Sequence, residues 1–66
     1  MPYVNVRVAG EGATAEQKRQ VIAEITDTLH RVLGKTPEST YVVIDEVSTD
    51  NWGASGTSVT ELRKNS

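Results

Sequence analysis

Met1-Pro2-Tyr3-Val4-Asn5-Val6-Arg7-Val8 opens the chain, and its alternation governs how the rest is read. Val4, Val6 and Val8 fall on one face and Tyr3, Asn5 and Arg7 on the other, the period of a strand with a single apolar face. Proline is tolerated at the first residue of a strand, where its missing N–H breaks no ladder. At this position it has a second meaning. If Met1 is removed, Pro2 carries a free secondary amine, and terminal amines titrate at about 7.7–8.0, close to neutrality. A nitrogen of that kind, rooted in a strand, can serve as a general base or as an amine nucleophile.

Gly10-Glu11-Gly12 breaks the strand. Thr14 then stands three residues before Gln17, the spacing of a capping box. From Ala15 to Leu33 the apolar residues Val21, Ile22, Ile25, Leu29, Val32 and Leu33 recur at helical spacing. Gly34 is the expected C-terminal stop, and Pro37 prevents the helix from resuming. Thr40 to Val47 is β-branched and nearly continuous in apolar character, a run that suits a strand covered on both faces. Strand, helix and strand make a β-α-β unit, with parallel strands and a right-handed crossover. Asp50 to Gly56 is turn-rich and predicts a short hairpin or loop, and the tail from Ser58 to Ser66 is polar apart from Val59 and Leu62. The predicted fold is therefore α+β, a β-α-β protomer with a short C-terminal hairpin or loop, in one domain over 1–66.

Size makes a further demand. A chain near 60 residues buries only about 60% of the surface its unfolded form exposes. Disulfides, a metal or oligomerisation are the usual remedies. The 66 residues include no cysteine and one histidine, His30, so neither disulfides nor a structural metal is expected, and no cofactor is called for. Self-association is left. One helix protects one sheet face, so the other face and the strand edges are expected to meet another copy and to pair into oligomeric sheets. By alternation that second face carries Asn5, Arg7 and Asp45, which predicts an ion-paired or hydrated interior there.

Seven basic and nine acidic residues are interspersed, giving a formal net charge of −2. No basic patch points to nucleic acid. No apolar run approaches the roughly 20 residues that span a bilayer, and the start lacks the pattern of a signal peptide. A soluble, cytoplasmic protein is the expectation.

Taken together, Met-Pro opening a strand, Glu16-Gln17-Lys18 starting a helix after a Gly-containing loop, a second strand ending in Asp45-Glu46, and Trp52-Gly53 before a small-residue loop resemble the 4-oxalocrotonate tautomerase family. The resemblance runs nearly the whole chain. It implies dimers built on a four-stranded sheet and assembled into a hexamer, removal of Met1, and a proline amine as catalytic base. The base would move a proton along the conjugated system of a 2-oxo acid or its enol. An apolar wall and nearby guanidinium groups would lower the amine's pKa and leave more free base at neutral pH.

Carried over by position, Pro2 fits the base and Trp52 the aromatic wall. The two family arginines are missing. The loop that holds one reads Gly10-Glu11-Gly12-Ala13, one residue longer than usual, and the strand position of the other is Tyr41. A phenol does not reproduce the forked recognition of a carboxylate, though Tyr41 can donate one hydrogen bond to an enolate oxygen. Glu11 would repel a dianion. These replacements point away from a dicarboxylate such as 2-hydroxymuconate and towards a monocarboxylate or an aryl pyruvate. Arg7 is a candidate cation for the substrate, but its odd separation from Pro2 puts it on the opposite strand face and favours an interior ion pair with Asp45 or Glu46. Arg63 and Lys64 are read as a solvated tail, and His30 as a surface or packing residue. The rival readings are a non-catalytic or specialised subunit of a mixed oligomer, completed by an arginine-bearing partner; hydratase or dehalogenase chemistry on an unsaturated acid; and a purely structural oligomer if Met1 is retained.

Overall fold

The computed structural model describes residues 2–10 and 12–64. Strand β1 (Tyr3–Ala9) leads into helix α1 (Ala15–Leu33), then a short 3-10 turn (Pro37–Ser39) and strand β2 (Tyr41–Val47). The capping box forms as the sequence requires: Gln17 N donates to Thr14 Oγ1 at 3.0 Å, and Thr14 N donates to Gln17 Oε1 at 2.9 Å. At the other end Gly34 adopts φ 70°, a left-handed conformation that suits glycine, and its N–H donates to the carbonyl of His30. His30 Nδ1 lies 3.1 Å from the carbonyl oxygen of Lys35, so the ring helps to secure this helix end.

β1 and β2 pair in parallel, from Tyr3 opposite Tyr41 to Ala9 opposite Val47. Val4, Val6, Val8, Val42 and Ile44 are half-buried. Lys18 near the start of α1 forms an ion pair with Glu46. The opposite face is open. Tyr41 is 53% and Val43 41% exposed, so within one protomer β2 is covered on one face. The reason is that one protomer has a single long helix and can shield only one side.

The chain then runs through a 3-10 turn (Thr49–Asn51) into a two-residue hairpin, β3 (Gly53–Ala54) with β4 (Thr57–Ser58), and ends in helix α2 (Val59–Lys64). The hairpin was expected. Helix α2 was not, because its sequence reads as a polar tail. Its first turn is capped by Ser58 Oγ, which accepts from Glu61 N at 3.2 Å. The Thr60 hydroxyl lies 2.6 Å from the Thr49 hydroxyl and donates to Asp50 at 2.5 Å. These bonds fold residues 49–64 into an arm pinned to its own turn. Val59 N donates to Trp52 O at 2.7 Å and closes the base of the hairpin.

Among the described residues none is fully buried in the single protomer. The chain exposes 4877 Å², whereas a compact monomer of this mass would expose roughly 4,100 Å². Its radius of gyration, 15.4 Å, exceeds the roughly 11 Å of a compact domain of this length. Among the described residues such a protomer has little core of its own.

Candidate active site

Pro2 sits immediately before β1 and is half-buried. Its carbonyl oxygen accepts from Tyr41 N at 2.9 Å, which anchors its backbone to the head of β2. The ring nitrogen is therefore attached to a fixed strand end. Met1 and Glu11 lie outside the described residues, so the removal of one and the charge of the other are not seen. Tyr3 and Tyr41 are register partners beside Pro2 on the open face, 63% and 53% exposed. Among the described residues neither phenol has a hydrogen-bond partner within the chain, so both can donate elsewhere.

The other two predicted residues lie at the far end of the ladder. Arg7 is five residues from Pro2, about 16 Å along an extended strand. It lines a groove of about 510 Å³ together with Asp45, Asn51, Trp52 and Gly53. Trp52 is half-buried at the groove edge, where the turn after β2 presents it. The structure thus brings Pro2 together with Tyr41, and Arg7 together with Trp52, but does not unite the two pairs within one protomer.

Arg7 is engaged. Its guanidinium is 3.5 Å from Asp45 Oδ2, the same oxygen that accepts from Asn5 Nδ2 at 2.8 Å. The Asn5 amide chiefly holds the Asp45 carboxyl below its usual pKa; lost water opposes it, and the Arg7 guanidinium adds a lesser lowering. Of the two partners considered for Arg7, Asp45 is the one found. Asn5 belongs to this cluster in a way the sequence hinted at only by placing it on the same strand face. Asn51 and Gly53 were not anticipated in the groove, since only the turn after β2 points them there.

This β-α-β order, with an amino-terminal strand and an aromatic arm, can be compared with known proteins. Residues 2–62 match the family model described as Tautomerase enzyme. The chain belongs to the tautomerase family. A probable tautomerase, K2, from Dickeya dadantii is 58% identical over 64 residues, covering 97% of this chain and 96% of its own. The crystal structure of DmpI from Helicobacter pylori superposes with a TM-score of 0.86 at 42% identity, covering 96% of this chain and 97% of that one. A 4-oxalocrotonate tautomerase isozyme of Methylibium petroleiphilum gives a TM-score of 0.88 at 26% identity, covering 98% and 100%. This tautomerase is accordingly an isomerase, and its fold is that of the 4-oxalocrotonate tautomerases. Among its described residues no helix is long and apolar enough to cross a membrane.

Proposed function

We propose that this chain, with Met1 removed, uses the Pro2 amine as the general base in keto–enol tautomerisation of a 2-oxo acid or its enol. The observation that supports it most is the seat of Pro2: half-buried, ahead of a fixed strand and clamped through its carbonyl by Tyr41. In the reaction the nitrogen accepts the enol proton and returns it to carbon, so no redox partner is required. Tyr41 donates to the oxygen on which charge develops. Trp52 and Arg7, at the opposite end of the ladder, reach a Pro2 only from another copy, so the site is shared between chains. The aromatic character of the Pro2 end, with Tyr3 and Tyr41 exposed, favours an aryl pyruvate or another monocarboxylate over a dianion.

Self-association of the protomer is supported by the absence of a buried core among the described residues, and a hexamer is the assembly that the resemblance implies. A specialised subunit of a mixed oligomer is the second reading. It is favoured by Tyr41 standing where the resemblance places an arginine. The test is an ultraviolet assay of ketonisation with phenylenolpyruvate and with 2-hydroxymuconate, on protein whose intact mass shows Met1 gone. Catalysis of the aryl substrate by the lone chain is the expected result. A rate no faster than buffer on both compounds rejects it, and recovery only with an arginine-bearing second chain selects the mixed oligomer.

A further inference from the structure

At the head of the ladder two phenols stand side by side with no task inside the protomer. Tyr3 and Tyr41 are register partners, both exposed, and among the described residues neither hydroxyl has a hydrogen-bond partner. Tyr41 already has a part in the proposed reaction, at the enol oxygen. We propose that Tyr3 is a second substrate-binding residue, whose phenol donates to the carboxylate of the 2-oxo acid, so that the anion is held by neutral donors instead of a guanidinium. The inference rests on the reading of Pro2 as the base, and adds which group binds the acid and what class of acid it admits.

The position of Tyr3 carries it. Tyr3 follows Pro2 directly, and the strand end that bears both is fixed, because Tyr41 N donates to Pro2 O at 2.9 Å. As register partners, Tyr3 and Tyr41 present their side chains on one face of adjacent strands, about 4.8 Å apart at the backbone. A 2-oxo acid or its enol carries its carboxylate and its 2-oxygen on neighbouring carbon atoms. Its two acceptors therefore lie along one edge and call for two donors on one side. Each phenol has one O–H to give. The distribution of charge agrees. Along β1 and β2 no charged side chain stands between the head and the level of Arg7 and Asp45. Arg7 is about 13 Å further along the strand from Tyr3, and its guanidinium already faces the Asp45 carboxylate at 3.5 Å. A hydrogen bond from a neutral phenol to an ionised carboxylate is among the stronger kinds, and the exposed rings offer apolar area to an aryl group. Nothing in the pair answers the second carboxylate of a dianion. Two phenols thus select a monoanion with an aromatic tail.

The test compares wild type, Tyr3→Phe and Arg7→Gln, each shown by intact mass to lack Met1, on phenylenolpyruvate and on the enol of its methyl ester. The ester keeps the aryl group and the enol but not the charge, and Tyr3→Phe keeps the ring but not the donor. Tyr3→Phe is expected to raise KM for the acid by roughly 10- to 100-fold, the usual worth of a hydrogen bond to a charged group, with kcat within about threefold of wild type. KM for the ester should rise by less than about threefold, because its acyl oxygens carry no charge. The ratio of acid to ester is taken within one sample, so a fall in the folded fraction cancels. Equal losses on acid and ester give Tyr3 a packing role only and overturn the proposal. So does an acid-specific loss in Arg7→Gln with none in Tyr3→Phe, which assigns the carboxylate to the guanidinium. An active wild type with an indifferent Tyr3→Phe overturns this inference alone. A wild type no faster than buffer on phenylenolpyruvate overturns the reading of Pro2 as the base, and this inference with it.

Discussion

The two ends of the same ladder are built for different work. At its head, Pro2, Tyr3 and Tyr41 offer an anchored strand end and two phenols with no hydrogen-bond partner among the described residues. At its foot, Arg7 and Asp45 are already joined beside a groove walled by Trp52. The head can supply a base, and the foot can supply a wall and charge. A strand of seven residues holds them apart, so a site needing both has to be closed by a neighbouring chain. The difference teaches that, under the proposed function, oligomerisation would have a chemical role as well as a stabilising one.

The largest expected effect comes from replacing the rigid secondary amine at the head with a freely rotating primary one. Pro2→Ala should lower kcat on phenylenolpyruvate by about 10²–10⁴-fold, the usual worth of a positioned general base, with the assembled mass unchanged. A variant within threefold of wild type would break the contrast between the ends. Trp52→Ala should mainly raise KM, since it removes a wall and leaves the base intact. Mixing Pro2→Ala chains with Trp52→Ala chains through unfolding and refolding sharpens the comparison. If each site takes its head and foot from different chains, about one quarter of the sites in a random assembly become intact. If both came from one chain, the mixture would gain nothing, and the kinetics of the refolded sample tell the two apart.

Smaller effects concern the frame between the ends. Thr14→Ala removes the capping box and should destabilise the fold by about 1 kcal/mol, read as a lower Tm at fixed protein concentration. Gly34→Ala should act in the same direction and by a similar amount, because it forces a residue with a Cβ to φ 70°. Asp45 gives the smallest effect. Its pKa in the folded chain lies below its ordinary value, so its stabilising contribution is complete above the ordinary carboxylate range. It is lost as pH falls through the lowered value. Asp45→Asn should therefore flatten the acid limb of a stability–pH curve by lowering its neutral plateau slightly while leaving its most acid end unchanged. An unchanged acid limb would show that the carboxyl at the foot is not coupled to folding.

Much of the frame was legible beforehand because its determinants are local. The alternation of Val4, Val6 and Val8, the Thr14–Gln17 box and Gly34 each act within a few residues, and each element formed where they place it. The arm was less legible. Residues 59–64 lack a helical apolar stripe, and α2 is set by hydrogen bonds from Ser58, Thr49 and Asp50, partners that a linear reading does not bring together. The same holds for the groove, where Asn51 and Gly53 enter through the turn after β2.

Sequence alone determined the β-α-β order, the ends of α1, the polar composition of one sheet face and the candidacy of Pro2, because periodicity, capping and residue chemistry are encoded in neighbouring positions. Only the tertiary structure decided that Arg7 pairs with Asp45 while Glu46 takes Lys18, that Tyr41 clamps Pro2, and that Arg7 and Trp52 stand at the far end of the ladder from that base. Those facts depend on the parallel register of two strands separated by a nineteen-residue helix. A register is fixed by the packing of the whole face rather than by any one segment.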